Sequence, residues 1–147
     1  MADFISGLRI SSSGMAAQRM RMNTISSNIA NINTTQTPEG GPYRRKDVVF
    51  EAMPDGKNFG EVLSTTDPKY DFRRVQVTDV VSDMKAPILK YEPDHPDANP
   101  DGYVAYPNIN LMEEMTNMIQ ASRAYEANVS AMQASKDMAL SALEIGR

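Results

Sequence analysis

Few residues in this chain of 147 have the chemistry to act on another molecule, and their spacing decides most cases against it. There is no cysteine, so disulfides, thiolate zinc sites and cysteine nucleophiles are excluded together. The single histidine, His95, lies between Pro93 and Pro96 and reads as a solvent-exposed loop residue rather than a general base. Asp97-Ala98-Asn99-Pro100-Asp101-Gly102 matches the first half of a calcium loop. The carboxylate required six residues after the glycine would be Asn108, which cannot chelate in the bidentate way. Asp, Asn and Pro are also the usual residues of tight turns, and a turn accounts for them. Arg44-Arg45-Lys46 could meet phosphate, yet three basic residues on a strand edge are more simply solvated charge. The tripeptides Asn33-Thr34-Thr35 and Asn128-Val129-Ser130 match a glycosylation acceptor by composition only, the second in mid-helix. The polar stretch 92–101 holds no nucleophile, metal-ligand set or phosphate loop, so the sequence argues against an enzyme and implies no cofactor, metal or small-molecule substrate.

The residues with most to say are apolar. From Leu111 to Ile145 there is neither Gly nor Pro. Leu111, Met115, Met118, Ser122, Tyr125, Val129, Met132, Lys136, Ala139 and Leu143 recur at alternating spacings of four and three, the seam of a coiled-coil helix. Such a helix is roughly 50 Å long. Pro107 precedes it, Asn110 is placed to cap it with Glu113 reaching back, and Gly146 ends it. Residues Phe4 to Ile32 predict a second long helix with the seam Phe4, Leu8, Ser11, Met15, Gln18, Met22, Ile25, Ile29, Ile32. Ile5, Ile10, Ala16, Ala17 and Met20 lie off that line, so one partner helix would not cover it. Asn31 or Asn33, tolerated in left-handed conformation, is expected to stop it.

All nine prolines fall between Pro38 and Pro107, which excludes a long helix there. Lys46 to Met53, Phe72 to Val81, Ile88 to Tyr91 and Tyr103 to Tyr106 read as strands, with a loop from Asp55 to Lys69. In Phe72–Val81 the valines 75 and 77 alternate with Arg74, Gln76 and Thr78, the pattern of a half-buried strand. The expected fold is α+β: a helical arm over 1–36, a β-rich middle over 37–107, and a C-terminal helix over 108–147 that pairs with the arm as a coiled coil.

Charge supports the pairing. Residues 1–33 carry Arg9, Arg19 and Arg21 against Asp3, net +2; residues 108–147 carry Arg123, Lys136 and Arg147 against Glu113, Glu114, Glu126, Asp137 and Glu144, net −2. The overall charge of −4, with no basic stripe, argues against nucleic acid as a partner. No run reaches the ~18 apolar residues of a membrane span, and Met1 to Arg9 lacks the pattern of a cleaved secretory leader. By composition alone the chain belongs in the cytosol. Met112, Ile119, Leu140 and Ile145 flank the C-terminal seam and would stay wet in a helix pair, which predicts a bundle or a polymer.

Two segments resemble signatures of the bacterial flagellar rod and hook axial proteins. Ser27-Asn28-Ile29-Ala30-Asn31 is similar to their N-terminal motif, and Glu114 to Asn128 (Glu-Met-Thr-Asn-Met-Ile-Gln-Ala-Ser-Arg-Ala-Tyr-Glu-Ala-Asn) to the C-terminal one. Many members follow the first motif with Thr-x-Gly, an aromatic and a basic residue. Here the longer Thr37-Pro38-Glu39-Gly40-Gly41-Pro42-Tyr43-Arg44-Arg45 replaces it. The resemblance implies a structural subunit of the basal-body rod. It would be made in the cytoplasm, exported without a cleaved leader through the flagellum's own type III channel, and polymerised in the periplasm. Its partners would be copies of itself, other rod proteins, the membrane-ring junction and the export apparatus. Subunit contacts would fall on the seams, at Leu8, Met15, Met22, Ile25, Ile29, Leu111, Met115, Met118, Tyr125, Val129, Met132 and Leu143, with Asn28, Asn31 and Arg123 as polar orienters. The loop at Pro38, Gly40, Gly41, Tyr43, Arg44 and Arg45 would brace a neighbour. The competing expectation is a soluble coiled-coil adaptor or export chaperone that binds partner helices.

Overall fold

A computed structural model describes residues 2–54 and 73–145 of the chain. The expected loop over 55–69, Phe72 and the stop at Gly146 lie outside them. The element order is α1 (Ala2–Ala30), β1 (Lys46–Pro54), β2 (Arg73–Ser82), β3 (Ile88–Tyr91), β4 (Tyr103–Tyr106) and α2 (Leu111–Ile145), the α+β arrangement expected. Asn110 caps α2 as the sequence suggests, its Oδ1 accepting the Met112 N–H at 3.0 Å. Glu113 and Glu114 then occupy the first turn, where the helix dipole favours negative charge.

The end of α1 differs from expectation. No non-glycine residue among those described has positive φ, so neither Asn31 nor Asn33 stops the helix in left-handed form. Instead Asn31 bonds backward: its N–H and its Nδ2 both donate to the Ser27 carbonyl, at 3.1 and 2.9 Å. Thr34 then closes on Asn31, hydroxyl to Oδ1 at 3.1 Å and N–H to carbonyl at 3.1 Å. A side-chain amide competing for helix carbonyls ends the helix without a strained residue.

β1 and β2 form one two-stranded sheet, and β3 and β4 another. The second is antiparallel, pairing Ile88 with Tyr106 and Tyr91 with Tyr103. The calcium-like stretch is its turn. Asn99 N–H reaches the Tyr103 carbonyl and Gly102 N–H the Asn99 carbonyl, both at 2.8 Å, while Asp97 accepts the Thr35 hydroxyl at 2.7 Å. Gly102 sits at φ +79°, and a Cβ there would come within 2.8 Å of the Tyr91 ring, which packs edge-on against Tyr103. His95 is half-buried rather than solvent-exposed, its Nδ1 accepting the Asp97 N–H at 3.1 Å. β2 is not the half-buried strand its alternation suggests: apart from Val77 and Ser82 every residue is exposed. A two-stranded ribbon has too little neighbouring surface to bury its valines.

Contacts divide the chain into two units, Met1–Met20 with Phe50–Thr78 and Ser122–Arg147, and Arg21–Val49 with Asp79–Ala121. In the first, Ala17 is buried and Gly14 faces Asn128 so closely that a Cβ would lie 2.9 Å from its Oδ1. Ser13 Oγ accepts the Val75 N–H at 3.2 Å, tying β2 to α1. In the second, Ile25, Val48, Val104, Ile109 and Ala121 form the apolar core.

Burial along α2 keeps the spacing of four and three but turns the stripe. Residues at that spacing, Glu114, Met118, Ala121, Tyr125, Asn128, Met132, Ser135 and Ala139, are covered, and Asn117, Ser122, Ala124 and Val129 beside them are half-buried. Met118, Tyr125, Met132 and Ala139 belong to the expected seam, although Leu111 on the same column is exposed; its other column fares differently, with Met115, Lys136 and Leu143 exposed and Ser122 and Val129 half-buried. Glu114, Ala121, Asn128 and Ser135 take the second covered column in place of Met115 and Leu143, because Ala, Asn and Ser let helices approach where Met and Leu would hold them apart.

Candidate functional site

Among the described residues, a polar and buried group is densely hydrogen-bonded. Asn28, at the end of α1, is 0% exposed. An amide side chain has two N–H donors and two acceptor lone pairs, and Asn28 uses all four. Its Nδ2 donates to the Lys46 carbonyl at 2.8 Å and to Glu114 Oε2 at 3.0 Å. Its Oδ1 accepts the Lys46 N–H at 2.9 Å and the Tyr43 hydroxyl at 3.1 Å. Asn28 therefore reads both backbone groups of Lys46, as a neighbouring strand would, where β1 begins.

Glu114, in the first turn of α2, is 1% exposed, and a buried carboxylate persists only when paired and hydrogen-bonded. Its second oxygen accepts Arg45 Nε at 2.7 Å, and Arg45 Nη1 reaches Asp47 at 3.2 Å. Burial alone would lower the Arg45 pKa, but hydrogen bonds and charge from Glu114 and Asp47 outweigh it and leave the guanidinium raised above its ordinary value. The group clamps the end of α1, the start of β1 and the start of α2 to one another. Each strong acceptor is already engaged by the protein, an arrangement that fixes geometry rather than performs chemistry.

Of the residues expected at contacts with other subunits, Ile25 and Asn28 are buried, at 4% and 0% exposed. Leu8, Met15, Met22, Ile29, Asn31, Met118, Tyr125, Val129 and Met132 are half-buried. Leu111, Met115, Arg123 and Leu143 are exposed. In the loop, Pro38, Gly40 and Gly41 are exposed, the glycines at φ +90° and +78°, and Thr37 N–H closes on the Gly41 carbonyl at 2.9 Å. Tyr43 and Arg45 turn inward to the clamp; Arg44 stays outside, its Nη1 2.9 Å from Met84 Sδ. Sequence reasoning missed Glu114 as a buried partner, although it stands four residues before Met118 on the shared column. The Lys46 backbone carries no side-chain signal and was not legible.

Comparison with known proteins meets this geometry at both halves of the clamp. A family model described as flagella basal body rod protein matches residues 8–36, which hold Asn28. One described as flagellar basal body rod FlgEFG protein C-terminal matches residues 101–145, which hold Glu114. The flagellar basal-body rod protein FlgC of Borreliella burgdorferi is 42% identical over 145 residues, 95% of each chain. That of Bacillus subtilis is 40% identical over 146 residues, 95% of this chain and 96% of the relative. That of Aquifex aeolicus is 40% identical over 138 residues, 94% and 93%. The chain belongs to the FlgC family of flagellar basal-body rod proteins. In this family the Asn motif and the C-terminal signature acquire a physical reading here: each supplies one member of a hydrogen-bonded pair 86 residues apart in sequence.

Proposed function

We propose that the chain is a structural subunit of the bacterial flagellar rod that completes its apolar surface by polymerising through its terminal helices, after export along the flagellum's own route. The supporting observation is what helix pairing leaves in water. With the small, polar column turned inward, Leu111, Met112, Met115, Ile119, Met138, Leu140 and Leu143 remain exposed along α2, at 69% for Met112 and 70% for Leu143. Large apolar side chains grouped in this way mark surfaces that meet other proteins, and their burial stabilises at about 25 cal/mol per Å². Copies of the chain and other rod proteins are the partners this reading supplies. Long terminal helices that depend on neighbours also suit a subunit that travels unfolded through a narrow channel and folds as it joins.

The test is a pair of substitutions on the wet face, Met112→Asp with Ile119→Asp. Because both side chains are already in solvent, the single subunit should fold and leave the cell as before. Basal bodies purified from such cells should lack the chain, and swimming should stop. Normal rods carrying the doubly substituted chain would overturn the proposal.

A further inference from the structure

Met84, two residues past the end of β2, has the most exposed methionine side chain among the described residues, at 78%. Its sulfur is in contact with a cation: Arg44 Nη1 stands 2.9 Å away. Arg44 is itself exposed, and no ion pair engages it among the described residues. Both residues belong to the same unit, and together they flank a backbone bond. The Asp83 N–H donates to the Arg45 carbonyl at 2.7 Å, so the Arg44–Met84 contact lies one residue away from it along both segments.

A thioether is a weak hydrogen-bond acceptor, so this contact contributes little as it stands. A peroxide changes that. The sulfur lone pair attacks one oxygen of hydrogen peroxide, and an S–O bond forms as the O–O bond breaks. The proton of the transferred oxygen leaves with the other oxygen as water; the sulfur is oxidised by two electrons and the peroxide reduced by two. The sulfoxide is polar, and a hydrogen bond from a charged donor is about twice as strong as a neutral one. In a core the new oxygen would disrupt apolar packing. Met84 has almost none to lose, and a guanidinium already stands where the oxygen would form. Both side chains are long and exposed, which lets them shift by one bond length to seat it.

We propose that Met84 is a reversible oxidation site whose sulfoxide is held by Arg44, fastening the 37–45 loop to the segment that follows β2. Met112 and Met138, 69% and 65% exposed, have similar access to peroxide, and no side chain is bonded to either sulfur among the described residues. They report oxidation without the tie. The inference concerns the single subunit and is independent of the assembly reading above.

The test treats the purified full chain with graded hydrogen peroxide, locates added oxygen by peptide mass mapping, and follows amide hydrogen exchange by NMR. Met84 should gain oxygen as early as Met112 and Met138. Exchange at the Asp83 N–H should then slow about two- to fivefold, the effect of one added hydrogen bond at an exposed position. Arg44→Ala and Met84→Leu, given the same treatment, should show no slowing. Methionine sulfoxide reductases for both epimers, supplied with a thiol, should return the original rate. The proposal is overturned if Met84 stays reduced while Met112 and Met138 are converted, or if Asp83 exchange is unchanged or faster once Met84 is oxidised. Equal slowing in Arg44→Ala, or slowing that persists after the sulfoxide is reduced, would overturn it too.

Discussion

Asn28 shows how one side chain can hold three elements in place. Replacing it with Ala removes four hydrogen bonds and leaves both backbone groups of Lys46 without their partner. Unsatisfied buried groups cost roughly 1–3 kcal/mol each, so Asn28→Ala should lower stability by about 2–4 kcal/mol, read from urea denaturation followed by circular dichroism. A loss no greater than that of an exposed Asn, such as Asn23, would show that the clamp does not hold the fold. Asp83 allows a test by pH. Its carboxyl is held below the ordinary 3.8, chiefly by the Lys85 N–H bonded to it, with the Lys85 charge 3.5 Å away also lowering it. A folded value below the unfolded one adds stability above pH 3.8, and that contribution fades as pH falls through the folded value. Asp83→Asn should therefore flatten the melting temperature against pH in that acid range, and an unchanged profile would contradict the assignment.

At the scale of elements, the helices and strands were legible because period and punctuation are local. Leu111–Ile145 and the two short strands fall where spacing and proline placed them, and α1 begins and ends within two residues of expectation. The phase of the seam was not legible. Counting apolar residues favours the greasier column through Met115 and Val129, yet the helix pair prefers the tighter one through Ala121 and Asn128, and that choice depends on the facing helix. Gly14 tests it. Its missing Cβ leaves room for Asn128, whose Nδ2 is held by the Ala124 carbonyl at 2.8 Å. Gly14→Ala gains up to about 1 kcal/mol of helix propensity but must displace Asn128. The gain should appear in thermal melts only when Asn128→Ser accompanies it. An equal gain with Asn128 intact would mean the two residues do not meet.

For the whole molecule, the sequence disclosed a family, and the clamp joins one residue from each of its two signatures. It could not disclose the clamp, because Asn28 and Glu114 each look like ordinary helix residues until the fold brings them to 3.0 Å. The expected contact residues divide accordingly. Those that bond inward, Asn28, Tyr43 and Arg45, hold the end of α1 to the strand and helix that follow, and the apolar side chains of α2 stay in solvent, where the proposed assembly would cover them. The most direct test measures solvent access at those side chains before and after assembly. Single cysteines replacing Met112, Ile119 or Leu143 should react with a maleimide quickly in the purified subunit and at least about tenfold more slowly in intact basal bodies, as apolar surface leaves water. Equal labelling rates in the two states would contradict the claim that other subunits complete this surface.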